Sequence, residues 1–235
     1  MRQRVRFTKR GKVRFLSHRD LARIWERALR RAEIRVSYSE GFSPRPKVSF
    51  GLALSTGYES LGEYLDIDLA DDLEPDELLA LVNPSLPVGM EAQVAIRIPP
   101  GTDSLQQSVT SSAWEIDVKD VAPDAVAQRV TEALAAETLP IVVERKGSET
   151  DLDARPAILD LAAHGTTLLA ELATHPRSLR PAELLRAVDP GWVAGRVLRT
   201  HQWTSVDGAR CEPIPLGDLG ARGATSTPHA EARAS

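Results

Sequence analysis

Apolar and polar residues alternate at the start of the chain. Val5 and Phe7 alternate with Arg4, Arg6 and Thr8, and Val13 and Phe15 with Lys12 and Arg14, on either side of the turn-like KRGK at 9–12. A period of two predicts a strand or hairpin with a basic outer face. After Ser17 the period changes. Leu21, Ile24, Trp25, Ala28, Leu29 and Ala32 fall at helical spacing, and Ser17 followed by Asp20 has the form of a helix N-terminus. Arg19, Arg23, Arg27, Arg30 and Arg31 lie off the apolar stripe, so the helix is expected to turn a row of guanidinium groups outward.

Further along, Ile34 to Tyr38 reads as a strand and SEGFSPRPK (39–47) as a loop, because two prolines and a glycine leave little room for regular structure. Val48 to Leu54 and Glu63 to Leu69 alternate as strands. Glu74 to Val82 has helical spacing with Pro75 in its first turn, and Met90 to Ile98 reads as a strand. The order β-α-β-β-α-β is that of a ferredoxin-like split βαβ unit over residues 1–98. PPGTDSLQQSVTSS (99–112) has the composition of a linker.

Beyond it, Trp114 to Val118, Leu139 to Arg145, Ile158 to Leu161, Thr166 to Leu172 and Gly195 to Trp203 are expected strands. Asp124 to Ala136 and 178–188 are expected helices. A second ferredoxin-like α+β unit over 113–216 follows, with a disordered tail from 217 to 235, where there is little to bury. The fold class expected is α+β, two such halves in tandem.

Charge sharpens this division. Residues 1–50 carry 15 Lys or Arg against four Asp or Glu, while the remaining residues carry 14 against 29, within a total of -4. A cationic end on an acidic chain points to a partner with phosphates or to a docking surface on another protein. The chain has a single cysteine, Cys211, and no run of about 18 apolar residues. A cytoplasmic protein without a disulfide framework and without a membrane span is expected.

The segments RFLSHRDLARIWERALRRA, YSEGFSPRPKVSF and GYESLGEYLDIDL resemble the radical-SAM-linked protein family, a bacterial domain found fused to radical S-adenosylmethionine proteins or as a separate chain. The resemblance is dense over residues 4–98 and thins to fragments such as LDARPAI and RPAELLRA. Two departures stand out. The family loop usually reads GFNPHP, whereas residues 41–46 read GFSPRP, so Arg45 replaces a histidine and proton transfer or metal binding through it is lost. RFLSH is usually followed by LD and here by Arg19-Asp20, which adds a cation. The resemblance implies a radical SAM protein as partner and assigns no chemistry. A radical SAM cluster needs three cysteines, so this chain can only assist such an enzyme.

The candidate chemistry is electrostatic. Guanidinium forks match phosphate oxygens, and ferredoxin-like sheets often bind RNA with aromatic rings stacked on bases. Arg14, Arg19, Arg23, Arg27, Arg30, Arg31, Arg45 and Lys47, with Tyr38 and Phe42, form the expected contact set for rRNA or tRNA. Alternatively, the arginines are solvated, some paired with Glu26 and Glu33, or they dock on a protein. The loop either presents Phe42 rigidly or uses it to cap the core. His18 is a weak candidate general base for a ribose hydroxyl, set against a capping or packing role. The carboxylates of Glu63, Asp66, Asp68, Asp71 and Asp72 do not have the spacing of a metal site. Asp66 and Asp68 fall on one face of a strand, opposite Leu65, Ile67 and Leu69, and read as an outward, solvated edge. No cofactor motif, zinc spacing or phosphate loop is present, and the chain reads as non-catalytic with no cofactor.

Overall fold

The computed structural model describes residues 1–145 and 147–214. The expected disordered tail, 217–235, lies outside the described residues. In the first half, β1 (Arg2–Lys9) leads through a 3-10 turn (Gly11–Phe15) into α1 (His18–Arg31). Then come β2 (Val48–Phe50), β3 (Glu59–Asp68), α2 (Pro75–Val82) and β4 (Met90–Arg97). The second half holds α3 (Leu105–Ser108), β5 (Val109–Val118), α4 (Pro123–Ala135), β6 (Pro140–Arg145) and β7 (Ser148–Asp153). It ends with β8 (Ile158–His164), β9 (Thr167–Ala173), α5 (Pro181–Val188), β10 (Ala194–Val206) and β11 (Ala209–Cys211).

Among the described residues one mixed sheet runs through both halves, in the order β4-β1-β3-β10-β5-β9-β8, with β2 also on β3 and β11 on β10. It is antiparallel except where β3 meets β10, where two parallel pairs, Glu59 with Leu198 and Ser60 with Arg199, form the seam. β6 and β7 form a separate hairpin. Cross-strand partners share a face of a sheet. Phe7 sits opposite Glu63, and Trp114 opposite Arg199, so these four side chains lie on the face that carries the helices. On that face α1 and α2 close a core around Phe7, Trp25, Leu65 and Leu78, and α4 and α5 close a second around Ile116, Val126, Leu168 and Leu184.

Several expectations change. Val13 and Phe15 belong to the 3-10 turn and not to a second strand, because Gly11 adopts a left-handed φ of +65° and donates its N–H to Glu59 Oε1 at 2.7 Å. Ile34 to Tyr38 makes only isolated bridges, Val36 to Leu69 and Tyr38 to Pro46. Residues 99–112 contain α3 and the start of β5, since Val109 to Ser112 pair with β10.

The supposed basic outer face of β1 is largely covered. Leu105, from α3, and Ile214 pack on Tyr64 across the other side of the sheet in the first half, away from α1 and α2. There the Arg4 fork is buried against Asp66, at 2.8 and 3.1 Å, and also donates to the carbonyl of Pro213 at 3.2 Å. Asp66 is thus a buried partner and not a solvated edge residue. Asp68, Asp71 and Asp72 also take arginines, from Arg2, Arg35 and Arg97 respectively.

Candidate nucleic-acid interface

The cationic face begins with the helix cap. Ser17 Oγ accepts the N–H of Asp20 at 3.2 Å and donates to Asp20 Oδ2 at 2.6 Å. The bond from the Ser17 hydroxyl is the main reason why the Asp20 carboxyl titrates below its ordinary range, with Arg23 and Arg19 nearby adding to it. Leu21, Trp25, Ala28 and Leu29 bury the inner stripe. Arg19, Arg23, Arg27, Arg30 and Arg31 are all exposed on the opposite side. At 3.6 residues per turn they occupy an arc of about 120° along about 18 Å of helix.

Only one of them is paired with a carboxylate among the described residues: Arg23 reaches Asp20 at 3.6 Å, and that pair is solvent-exposed. Exposed pairs of this kind contribute little. Among the described residues neither Glu26 nor Glu33 forms an ion pair with the stripe, and no carboxylate of the second half is paired with it.

Beside the helix, the 39–47 loop is clamped at its base. Ser39 donates its N–H to the carbonyl of Arg45 at 2.9 Å, and its hydroxyl accepts the N–H of Arg45 at 3.0 Å. Gly41 takes a φ of +122°, open to glycine, and Phe42 stands fully exposed at the tip. The ring is presented and does not cap the core. Tyr38, Arg45 and Lys47 are exposed as well.

Two expected site residues sit differently. Arg14 is half-buried, 3.6 Å from Glu59, with its guanidinium over the Phe15 ring at 4.7 Å, so its charge is shared with a carboxylate. His18 is exposed at the first position of α1 and sets its ring edge-on against Phe50 at 5.3 Å, with no hydrogen bond or ion pair among the described residues.

The seam holds charges that local sequence patterns did not reveal. Arg199 donates to Glu63 through Nε at 3.0 Å and Nη2 at 2.7 Å, and to the carbonyl of Leu52 at 2.9 Å. Both side chains are almost wholly buried, at 2% and 6% exposure. Lys9, also buried, donates to the carbonyl of Leu16 at 3.0 Å. Next to them Glu59 accepts Arg196 Nε at 2.8 Å and faces Arg14. Burial works against its charge, but Arg196, the Gly11 N–H and Arg14 outweigh it and hold Glu59 below its usual range. The second half therefore supplies arginines and the first half glutamates, the reverse of their net charges.

Lys9 gives the seam a pH dependence. Burial pushes its ammonium below the ordinary lysine range; Glu63 opposes that shift and Arg199 adds to it. The folded state then releases the proton before the unfolded state does, so the unfolded chain binds more protons between the depressed value and about 10.4. Stability should accordingly gain a component that rises with pH in that alkaline window. Urea unfolding of the parent and of Lys9→Met across the window checks this, and an unchanged slope in the variant counts against it.

With the geometry in place, residues 2–181 match the DUF2344 family, described as uncharacterized proteins conserved in bacteria. The chain belongs to the DUF2344 family. No curated protein matches it. The DUF2344 match takes in the arginine stripe, the loop, Lys9, Glu59 and Glu63, and ends at the first residue of α5, before Arg196 and Arg199.

One further cluster escaped the sequence reading. His201 and Trp203 stack at 4.9 Å on β10, with the Arg210 guanidinium 4.3 Å over the indole. Their i, i+2 spacing on a strand was the available signal. Among the described residues no helix is long and apolar enough to cross a membrane.

Proposed function

We propose that this DUF2344 chain is an RNA-binding accessory module built from two ferredoxin-like halves, acting with a radical SAM enzyme on rRNA or tRNA. The single observation that carries the reading is the stripe of Arg19, Arg23, Arg27, Arg30 and Arg31, exposed among the described residues, beside a loop tied at its base by Ser39 and Arg45 that exposes Phe42, Arg45 and Lys47. Guanidinium groups of which, among the described residues, only Arg23 has a carboxylate partner fit phosphate oxygens, and an exposed ring on the same loop as Arg45 and Lys47 fits an unstacked base. The strand orders β4-β1-β3-β2 and β10-β5-β9-β8 support the two-halves reading, with the β6–β7 hairpin as an insertion in the second. The radical SAM partner rests on the resemblance of the N-terminal segments alone.

Charge reversal tests the RNA reading. Arg23→Glu/Arg27→Glu should weaken binding of structured RNA at about 0.15 M salt by about tenfold or more and flatten the salt dependence by about one to two units of slope. Its melting temperature should stay close to that of the parent, because both side chains are exposed. Unchanged RNA affinity would sink the proposal. Capture of a partner protein that survives RNase and is lost in the variant would reassign the stripe to protein docking.

A further inference from the structure

The helix side of the seam opens into a cleft that the arginine stripe does not use. It encloses about 330 Å³, at the lower end of the range for small-ligand sites. Its walls come from both halves: Tyr58 from before β3, Ser112 and Trp114 from β5, Ser178 and Arg180 from before α5, and Arg199 from β10.

Three observations point to an anion. The first is charge. Glu63 is bonded to Arg199, and the buried ammonium of Lys9, bonded to the carbonyl of Leu16, has no ion pair of its own among the described residues, which leaves a buried positive charge in excess where buried charges need compensation. The second is the supply of donors. Ser112, almost wholly buried, accepts the indole N–H of Trp114 at 2.9 Å, and its own hydroxyl proton has no acceptor among the described residues. Arg180 and Ser178 stand exposed at the lip, with no carboxylate paired to the Arg180 guanidinium among the described residues. The third is the wall itself. The Tyr58 and Trp114 rings meet edge to face at 6.1 Å and give one side an aromatic lining.

Donors converging from several directions suit a group with three terminal oxygens better than a carboxylate with two, and the aromatic side suits a base. We infer that this cleft binds the phosphate monoester of a nucleotide, either a free mononucleotide or the phosphorylated end of an RNA strand. The excess charge is then neutralised by the ligand, and Ser112, held by the indole, donates to it.

Calorimetric titration of the full chain with AMP tests the inference, with adenosine as control and Arg180→Glu and Ser178→Asp as variants. Both positions are exposed, so neither change empties the core. AMP should bind saturably with a Kd of about 1 mM or tighter, adenosine should not, and each variant should weaken AMP binding by about tenfold or more. A 5′-phosphorylated trinucleotide that displaces AMP, where its hydroxyl-ended form does not, assigns the site to strand ends; failure of both forms to displace AMP assigns it to the free nucleotide. No saturable binding of AMP or of the phosphorylated trinucleotide at about 10 mM overturns the inference. Equal binding of adenosine, or binding that both variants leave unchanged, also overturns it. Arg23→Glu/Arg27→Glu should bind AMP as the parent does, so failure of the cleft and failure of the arginine stripe are read separately.

Discussion

Replacing Glu63 with alanine should destabilise the chain by about 3–5 kcal/mol, the cost of removing one member of a buried ion pair. Arg199 would lose its bidentate partner, and Lys9 a nearby carboxylate that favours its charged form. The substitution also strikes the joint between the halves, where the backbone contributes only two parallel pairs. Side chains add further links across it, among them Arg196 to Glu59 at 2.8 Å and Gln202 Nε2 to the carbonyl of Gly62 at 2.7 Å. Scanning calorimetry should therefore show one transition in the parent and two separated transitions in the variant. The double replacement Glu63→Leu/Arg199→Met should recover much of the loss, because well-packed apolar pairs often match buried ionic ones. A loss below about 1 kcal/mol for Glu63→Ala would mean that water reaches the pair and that the seam is held by other contacts.

Helix α1 was legible in advance because its signals are local: an apolar stripe of period 3.6, a serine cap and arginines on the opposite side. β1 was legible for the same reason, but its surroundings were not. Arg4 and Asp66 alternate with apolar neighbours just as exposed charges do. Only the packing of Leu105 and Ile214 on the second face makes them a buried pair.

The 3-10 turn was misread because Gly11 is held by Glu59, which is distant in sequence. Glu63 and Arg199 lie 136 residues apart and have no joint signature. The candidate site divides along the same line. The exposed stripe follows from helical geometry, whereas the seam and its cleft depend on how two halves meet. Neither period two nor period 3.6 contains that information.

Trp25→Ala should cost about 3–5 kcal/mol and should remove RNA binding with it. The indole is fully buried in the first core and sets its edge against Phe7 at 5.0 Å, so it pins α1 to the sheet. Truncation leaves a cavity between the helix and β1, and the helix that presents the stripe loses its anchor. The indole Nε1, however, is buried without a hydrogen-bond partner. Trp25→Phe keeps much of the ring and removes an unpaired donor, so it should cost less than about 2 kcal/mol and leave RNA affinity close to the parent's. Urea unfolding followed by circular dichroism, with RNA titration of both variants, separates the two effects. If Trp25→Phe were as damaging as Trp25→Ala, the N–H would have a partner and the ring would do more than fill space. If Trp25→Ala kept both stability and RNA affinity, α1 would be held by something other than its apolar stripe, and the link from core packing to the arginine face would fail.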